Sequence, residues 1–262
     1  MKFFLLTTLT SAAALVAGNP LLTRRETGVT TPIAATNGTN CTVVNFGAIL
    51  FNGLDMIDIW GPLDILQLVA HNRELNLHLI AADKNPITAG IVDPTAPSNK
   101  FNSSFWPAIY PTATFDDDLD LDVLLVPGGP GVRAAGLEPI VEYIKKYYPK
   151  VKYLITVCTG ASLAARAGVL DGKRATTNKR AWATMTAWGP NVKWVAPARY
   201  VIDGNIWSSS GVTSSLDLTY AFVEKIYGKE LSTLIANTME HTPLAADDDV
   251  FTDIWDVPTT GN

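Results

Sequence analysis

The segment from Lys152 to Ala165 restricts the fold more than any other stretch of the chain. It opens with the β-favouring run Tyr153-Leu154-Ile155-Thr156-Val157 and changes character at Cys158. Thr159-Gly160-Ala161-Ser162-Leu163-Ala164-Ala165 follows, made of small residues that suit a helix. A short buried strand that turns sharply into a helix, with a thiol at the joint, is the layout of a nucleophile elbow. The joint sets the sulfur beside unpaired N–H groups and the positive end of the helix dipole, which predicts a thiol shifted toward thiolate. A buried structural cysteine is the competing reading, because free Cys is among the most buried residue types.

The rest of the chain supplies strands and helices in alternation, the pattern of a parallel α/β sheet. Val43–Phe51, Leu75–Ala82 and Leu121–Pro127 read as core strands. A helix runs on from Pro62, placed in its first turn, to Ala70. Further helices are expected over Leu137–Tyr148, Lys179–Trp188, Gly211–Tyr227 and Glu230–Glu240, with a hairpin at Asp203-Gly204-Asn205. Residues 83–118 are proline-rich and irregular, with short side strands. Asp116-Asp117-Asp118 and Asp247-Asp248-Asp249 read as solvated runs. Ligands of such sheets bind at the carboxyl ends of the strands. Cys158, Gly128-Gly129 and the loop bearing Asp58 all follow core strands, so the topology gathers them at one rim.

Four segments are expected: a signal peptide over 1–18, a leader or flexible arm over 19–41, an α/β domain over 42–240 and a polar tail over 241–262. Lys2, the apolar stretch Phe3–Val16 and the small residues Ala17 and Gly18 carry the first of these. Arg24-Arg25 suits a dibasic processing site or a solvated charge pair. No later run is long enough to span a bilayer, so a secreted protein with no membrane contact after signal cleavage is expected. Asn37, Asn40 and Asn102 head N-x-Ser/Thr sequons that could carry glycans at the surface. Of 262 residues 47% are hydrophobic, enough for a large core, and the net charge of −5 without a basic cluster argues against a nucleic-acid partner. The two cysteines, Cys41 and Cys158, could pair in an oxidising compartment, or Cys41 could link two chains. His71, His78 and His241 are too dispersed to suggest a metal site.

Six pieces, in order, resemble the ThiJ/PfpI superfamily, related in fold to class I glutamine amidotransferases. They are Asp58-Ile59-Trp60-Gly61-Pro62, Val126-Pro127-Gly128-Gly129, Val157-Cys158-Thr159-Gly160, Gly172-Lys173-Arg174-Ala175-Thr176-Thr177, Asp203-Gly204-Asn205 and Ser210-Gly211-Val212-Thr213. The look is nearest to the isonitrile hydratase branch and its secreted, fungal-type relatives. The resemblance implies a flavodoxin-like parallel sheet sandwiched between helices. It also implies a cofactor-free enzyme with Cys158 as nucleophile and Asp58 as proton carrier, converting a small electrophile, an isonitrile, to an N-substituted formamide. The backbone N–H groups of Gly129 and Thr159 would hold developing negative charge, and Trp60, Gly128, Asn178 and Gly211 would lie near the substrate. A homodimer is implied in the same way. Thr159 stands where protease-like and glyoxalase-like members carry His, which counts against those activities. Asn178 stands where the hydratase branch tends to carry His. No helix-turn-helix module follows the domain, which counts against the regulator branch. A non-catalytic binding or redox-responsive protein of the same fold is the alternative.

Overall fold

The computed structural model describes residues 43–90 and 100–260. The elements run β1 Asn45–Ile49, α1 Met56–Ala70, β2 Asn76–Ala81, β3 Ile87–Thr88, β4 Ala108–Ile109, β5 Ala113–Thr114, β6 Val123–Val126, α2 Glu138–Tyr147 and β7 Tyr153–Val157. They continue as α3 Ala161–Arg166, β8 Arg174–Ala175, α4 Trp182–Ala187, β9 Lys193–Trp194, β10 Tyr200–Asp203, β11 Ile206–Ser209, α5 Ser214–Tyr227, α6 Lys229–Thr238 and α7 Phe251–Ile254. The signal segment, the arm with Arg24-Arg25, Cys41 and the sequons at Asn37 and Asn40 lie outside the described residues.

Among the described residues the main sheet has seven strands in the order β10-β11-β7-β6-β1-β2-β5. Its pairings are parallel except for the β10–β11 hairpin, which turns at Gly204 with φ 61. This is the flavodoxin-like α/β arrangement expected from the sequence. All four residues of β6 are buried, and so are Leu154–Val157 of β7. Such continuous apolar runs mark strands covered on both faces. α1, α5 and α6 pack together on the sheet, while α2, α3 and α4 form a second group. Phe222 of α5 meets Tyr153 and Trp207 edge-on, with ring centroids at 5.3 and 5.2 Å. Removing a ring of this size from water stabilises the fold by roughly 2–3 kcal/mol.

Two local expectations change. α1 starts at Met56, so Pro62 lies inside the helix rather than in its first turn. Asp55 is the N-cap and accepts from the Ile57 N–H at 3.1 Å, which leaves the Asp58 side chain uncommitted to capping. The tail also departs from a polar appendage, because residues 241–260 strap back across the domain. The Arg199 N–H donates to the Ala246 carbonyl at 2.7 Å and the Thr260 N–H to the Ala196 carbonyl at 2.9 Å. Val257 is buried beside Trp182 and Ala196. Asp249 is not part of a solvated run: its side chain is fully buried. Its carboxylate is the acceptor for the Ala198 N–H, the Thr252 hydroxyl and the Lys179 ammonium.

Candidate active site

The elbow forms because β7 ends at Val157 and the chain reverses within one residue. Cys158 has φ 56, a left-handed conformation that L-residues adopt at a cost, and it is free and only 5% exposed. A three-residue 3₁₀ turn, Cys158–Gly160, leads into α3. Parallel pairing of β6 with β7 brings the next loop, Pro127-Gly128-Gly129, alongside. A Cβ on Gly128 would stand 2.5 Å from the Thr159 nitrogen, so glycine permits this backbone contact. Gly129 sits at φ 135 against the backbone of Gly53–Asp55.

Asp58 enters this junction from the first turn of α1 and is fully buried. Its Oδ2 accepts the Gly128 N–H at 2.9 Å, while Oδ1 has no hydrogen-bond partner among the described residues. Burial, then the charge of Asp55, pushes the Asp58 carboxyl up to about 8, against smaller opposing contributions from the Gly128 N–H and the Cys158 thiol. Oδ2 already accepts one hydrogen bond, so Oδ1 is the oxygen open to a further donor or proton.

The sulfur is not held as a thiolate by the helix terminus, contrary to expectation. Burial raises the Cys158 pKa, and the neighbouring Asp58 carboxylate raises it further. The Thr159 N–H and the Asn178 amide pull the other way without prevailing. α3 is only six residues long, and an interior this dry penalises the anion more than one helix end rewards it. Asp58 and Cys158 therefore titrate as a coupled pair.

The remaining expected residues divide. Asn178 is at the sulfur: its Nδ2 donates to Sγ at 3.3 Å, and its Oδ1 accepts from the Ala181 N–H at 3.1 Å. The preceding Thr177 hydroxyl donates to the Cys158 carbonyl at 2.9 Å. Thr159 turns its N–H to the sulfur and its Oγ1 to the Gly129 N–H, which donates at 2.9 Å. The Gly129 N–H is thus occupied rather than waiting for an oxyanion, because the Thr159 hydroxyl satisfies it first. Gly211 lies two residues after Ser209, the register partner of Val157, and its N–H donates to Ser214 Oγ at 2.8 Å. Trp60 is 40% exposed and lines an apolar groove of about 500 Å³ with Ile57, Leu66, Leu216 and Met239. Neither Cys158 nor Asp58 lines that groove, so its size does not make it the reaction site. Trp182 and Trp207 are core. Asn102 is exposed.

A buried ionic group beside the site leaves no mark in the local sequence. Arg199 holds Asp217 Oδ2 through Nε at 2.8 Å and Nη2 at 2.6 Å, and Lys179 faces Asp249 at 3.2 Å. His241 lies 3.4 Å from Asp217 Oδ1 and stacks on Tyr220. The charged residues were readable, but nothing local pairs them. Only the loop Thr176-Thr177-Asn178, adjoining a motif, hinted at proximity to the thiol.

A parallel α/β sheet with a left-handed cysteine at a strand–helix joint and a buried acid beside it defines a cysteine-elbow protein. The chain belongs to the DJ-1/PfpI family, whose sequence profile matches residues 48–225. It is 30% identical over 201 residues to an isonitrile hydratase of Pseudomonas putida, covering 76% of this chain and 79% of that protein. It is 28% identical over 128 residues to the HTH-type transcriptional regulator GbdR of Pseudomonas aeruginosa, covering 49% of this chain and 35% of the regulator. In structure it resembles a ThiJ/PfpI family protein from Pseudomonas syringae, with a TM-score of 0.63 at 24% identity over 78% of this chain and 77% of that one. Drosophila melanogaster DJ-1beta aligns with a TM-score of 0.59 at 17% identity over 76% of this chain and 99% of that one. These two likenesses show the fold.

Proposed function

We propose that the protein is a cysteine-dependent hydratase of small electrophiles, with isonitriles as the substrate class. The carrying observation is a buried Asp58 whose Oδ1 has no hydrogen-bond partner among the described residues and whose carboxyl is coupled to the Cys158 thiol. A carboxyl near 8 suits a group that takes and returns a proton at neutral pH. In the reaction, Asp58 Oδ1 accepts the thiol proton as sulfur bonds to the terminal isonitrile carbon, and the proton then passes to that carbon. The product of this step is a thioimidate on Cys158. Water adds to the same carbon, the nitrogen takes up a proton, and the C–S bond breaks. An N-substituted formamide leaves and the thiol is restored, so one water is consumed and no electrons change hands. Asn178 Nδ2 and the Thr159 N–H stabilise the sulfur when it carries charge, at attack and at departure. The hydratase relative supports this reading.

Secretion, a glycan at Asn102 and a homodimer belong to the same proposal, the exposed Asn102 supporting the second. The 5% exposure of Cys158 favours a second reading, a binding protein whose thiol is inert. Formamide production from cyclohexyl isocyanide by wild type and Cys158→Ala separates the two. The hydratase reading requires turnover by wild type alone; equal rates in both, or none in either, leave the binding role.

A further inference from the structure

The family profile ends at residue 225, yet the strap over 241–260 reaches the loop that touches the nucleophile. Each of four consecutive residues in that loop is tied inward. The Thr176 N–H donates to Ser208 Oγ at 3.0 Å, Thr177 Oγ1 to the Cys158 carbonyl at 2.9 Å and Asn178 Nδ2 to Cys158 Sγ at 3.3 Å. Lys179 Nζ closes the set by donating to Thr176 Oγ1 at 3.1 Å and the Ala198 carbonyl at 2.8 Å, facing Asp249 Oδ2 at 3.2 Å. The Lys179 side chain is 2% exposed and the Asp249 side chain 0%. A buried ammonium needs its counter-charge, and removing one partner of such a pair leaves the other uncompensated. The same Asp249 oxygen accepts the Ala198 N–H at 3.0 Å and the Thr252 hydroxyl at 2.8 Å, so the carboxylate is fixed by the strap's own helix α7 and by the loop between β9 and β10.

We propose that the C-terminal strap is a positioning element for the thiol site, in which Asp249, through Lys179, fixes the 176–179 loop so that the Asn178 amide stays on Cys158. Lys179 and Asp249 are positioning residues, since neither touches the sulfur. The inference rests on Cys158 being the reactive group of the proposed function, but its readout is thiol chemistry rather than turnover. The groups that set the thiol's titration are Asp58 and Asp55 from α1 and its cap, the Thr159 N–H and Asn178. Beside Lys179 stand Asp249 and Arg199. Loss of the Asn178 donor removes one hydrogen bond that favours thiolate, worth about a tenfold drop in alkylation rate at fixed pH, or an upward midpoint shift of about one pH unit.

The test measures iodoacetamide alkylation of Cys158 against pH in the full chain, for wild type, Asn178→Ala, Asp249→Asn, the charge-balanced double variant Lys179→Met/Asp249→Asn, and these combined with Asn178→Ala. The double variant leaves no orphaned charge, so it decides the matter if Asp249→Asn alone does not fold. Expected is a similar upward shift in Asn178→Ala and in the double variant, with no further shift when they are combined. A strap that merely adds stability would lower the melting temperature and leave the midpoint alone. An unshifted midpoint in the double variant, a shift that adds to that of Asn178→Ala, or no shift in Asn178→Ala itself would each overturn the inference. Failure of the hydratase reading appears separately, as wild-type protein without turnover.

Discussion

Asp58→Asn should make this protein more stable at neutral pH and less stable in acid. The amide is nearly isosteric with the carboxyl, and its oxygen can still accept the Gly128 N–H that Oδ2 accepts at 2.9 Å. What changes is the titration. In the unfolded chain the Asp58 carboxyl titrates near 3.8, and in the folded protein burial moves it to about 8. Between those values the folded state binds a proton that the unfolded state has lost, so stability from this group falls as pH rises through the window. The slope is about 1.4 kcal/mol per pH unit. At pH 7 the loss accumulates over some three units, to about 4 kcal/mol. The substitution removes that loss and adds a new buried N–H pair at the Oδ1 position, costing about 1–2 kcal/mol if the sulfur only partly satisfies it. The net gain at pH 7 is about 2–3 kcal/mol, or about 5–10 °C in Tm for a domain of this size. At pH 4 the sign reverses, because the unfolded carboxyl is then near its own midpoint of 3.8 and the linkage loss has shrunk to about 0.5 kcal/mol, less than the cost of the new buried N–H pair. Urea or thermal melts of both proteins from pH 4 to 8 read this directly. A stability difference that stays flat across that range would refute the reasoning, since the Asp58 carboxyl would then titrate alike in both states.

Other consequences follow from the same geometry. Arg199→Met should cost about 3–5 kcal/mol in urea unfolding, because Asp217, buried at 2% exposure, loses its bidentate partner; adding Asp217→Asn should recover part of that loss, and no recovery would mean that the charge is not the cause. Gly129→Ala should destabilise by more than about 3 kcal/mol, since φ 135 and the backbone of Gly53–Asp55 both oppose a Cβ; a Tm within a few degrees of wild type would contradict the packing described. Cys158→Ser should leave Tm nearly unchanged while ending formamide production, and retained turnover would move the chemistry elsewhere.

The large-scale fold was legible because its cues are local. Apolar runs such as Val123–Val126 name their own burial, and the break at Cys158 announces the elbow. Asp58 was found through its neighbours in sequence, yet its state depends on Gly128, seventy positions away, and on being sealed from water. The same holds for the thiol: a helix start argues for thiolate, and only packing reveals that desolvation outweighs it. Pro62 reads as a helix start until Asp55 is seen capping nearly two turns earlier. Asp249 is hidden from a sequence reading for a related reason. Three consecutive aspartates look like a solvated turn, and nothing nearby in sequence shows that the third meets Lys179.

The most direct measurement is the mass of the protein during turnover. Wild-type protein mixed with cyclohexyl isocyanide and fragmented intact in the mass spectrometer within the turnover time should carry one whole substrate unit on the peptide bearing Cys158, and Cys158→Ala should carry none. Formamide accumulating while that peptide remains unmodified, or a modification that persists in Cys158→Ala, would contradict covalent catalysis at the elbow.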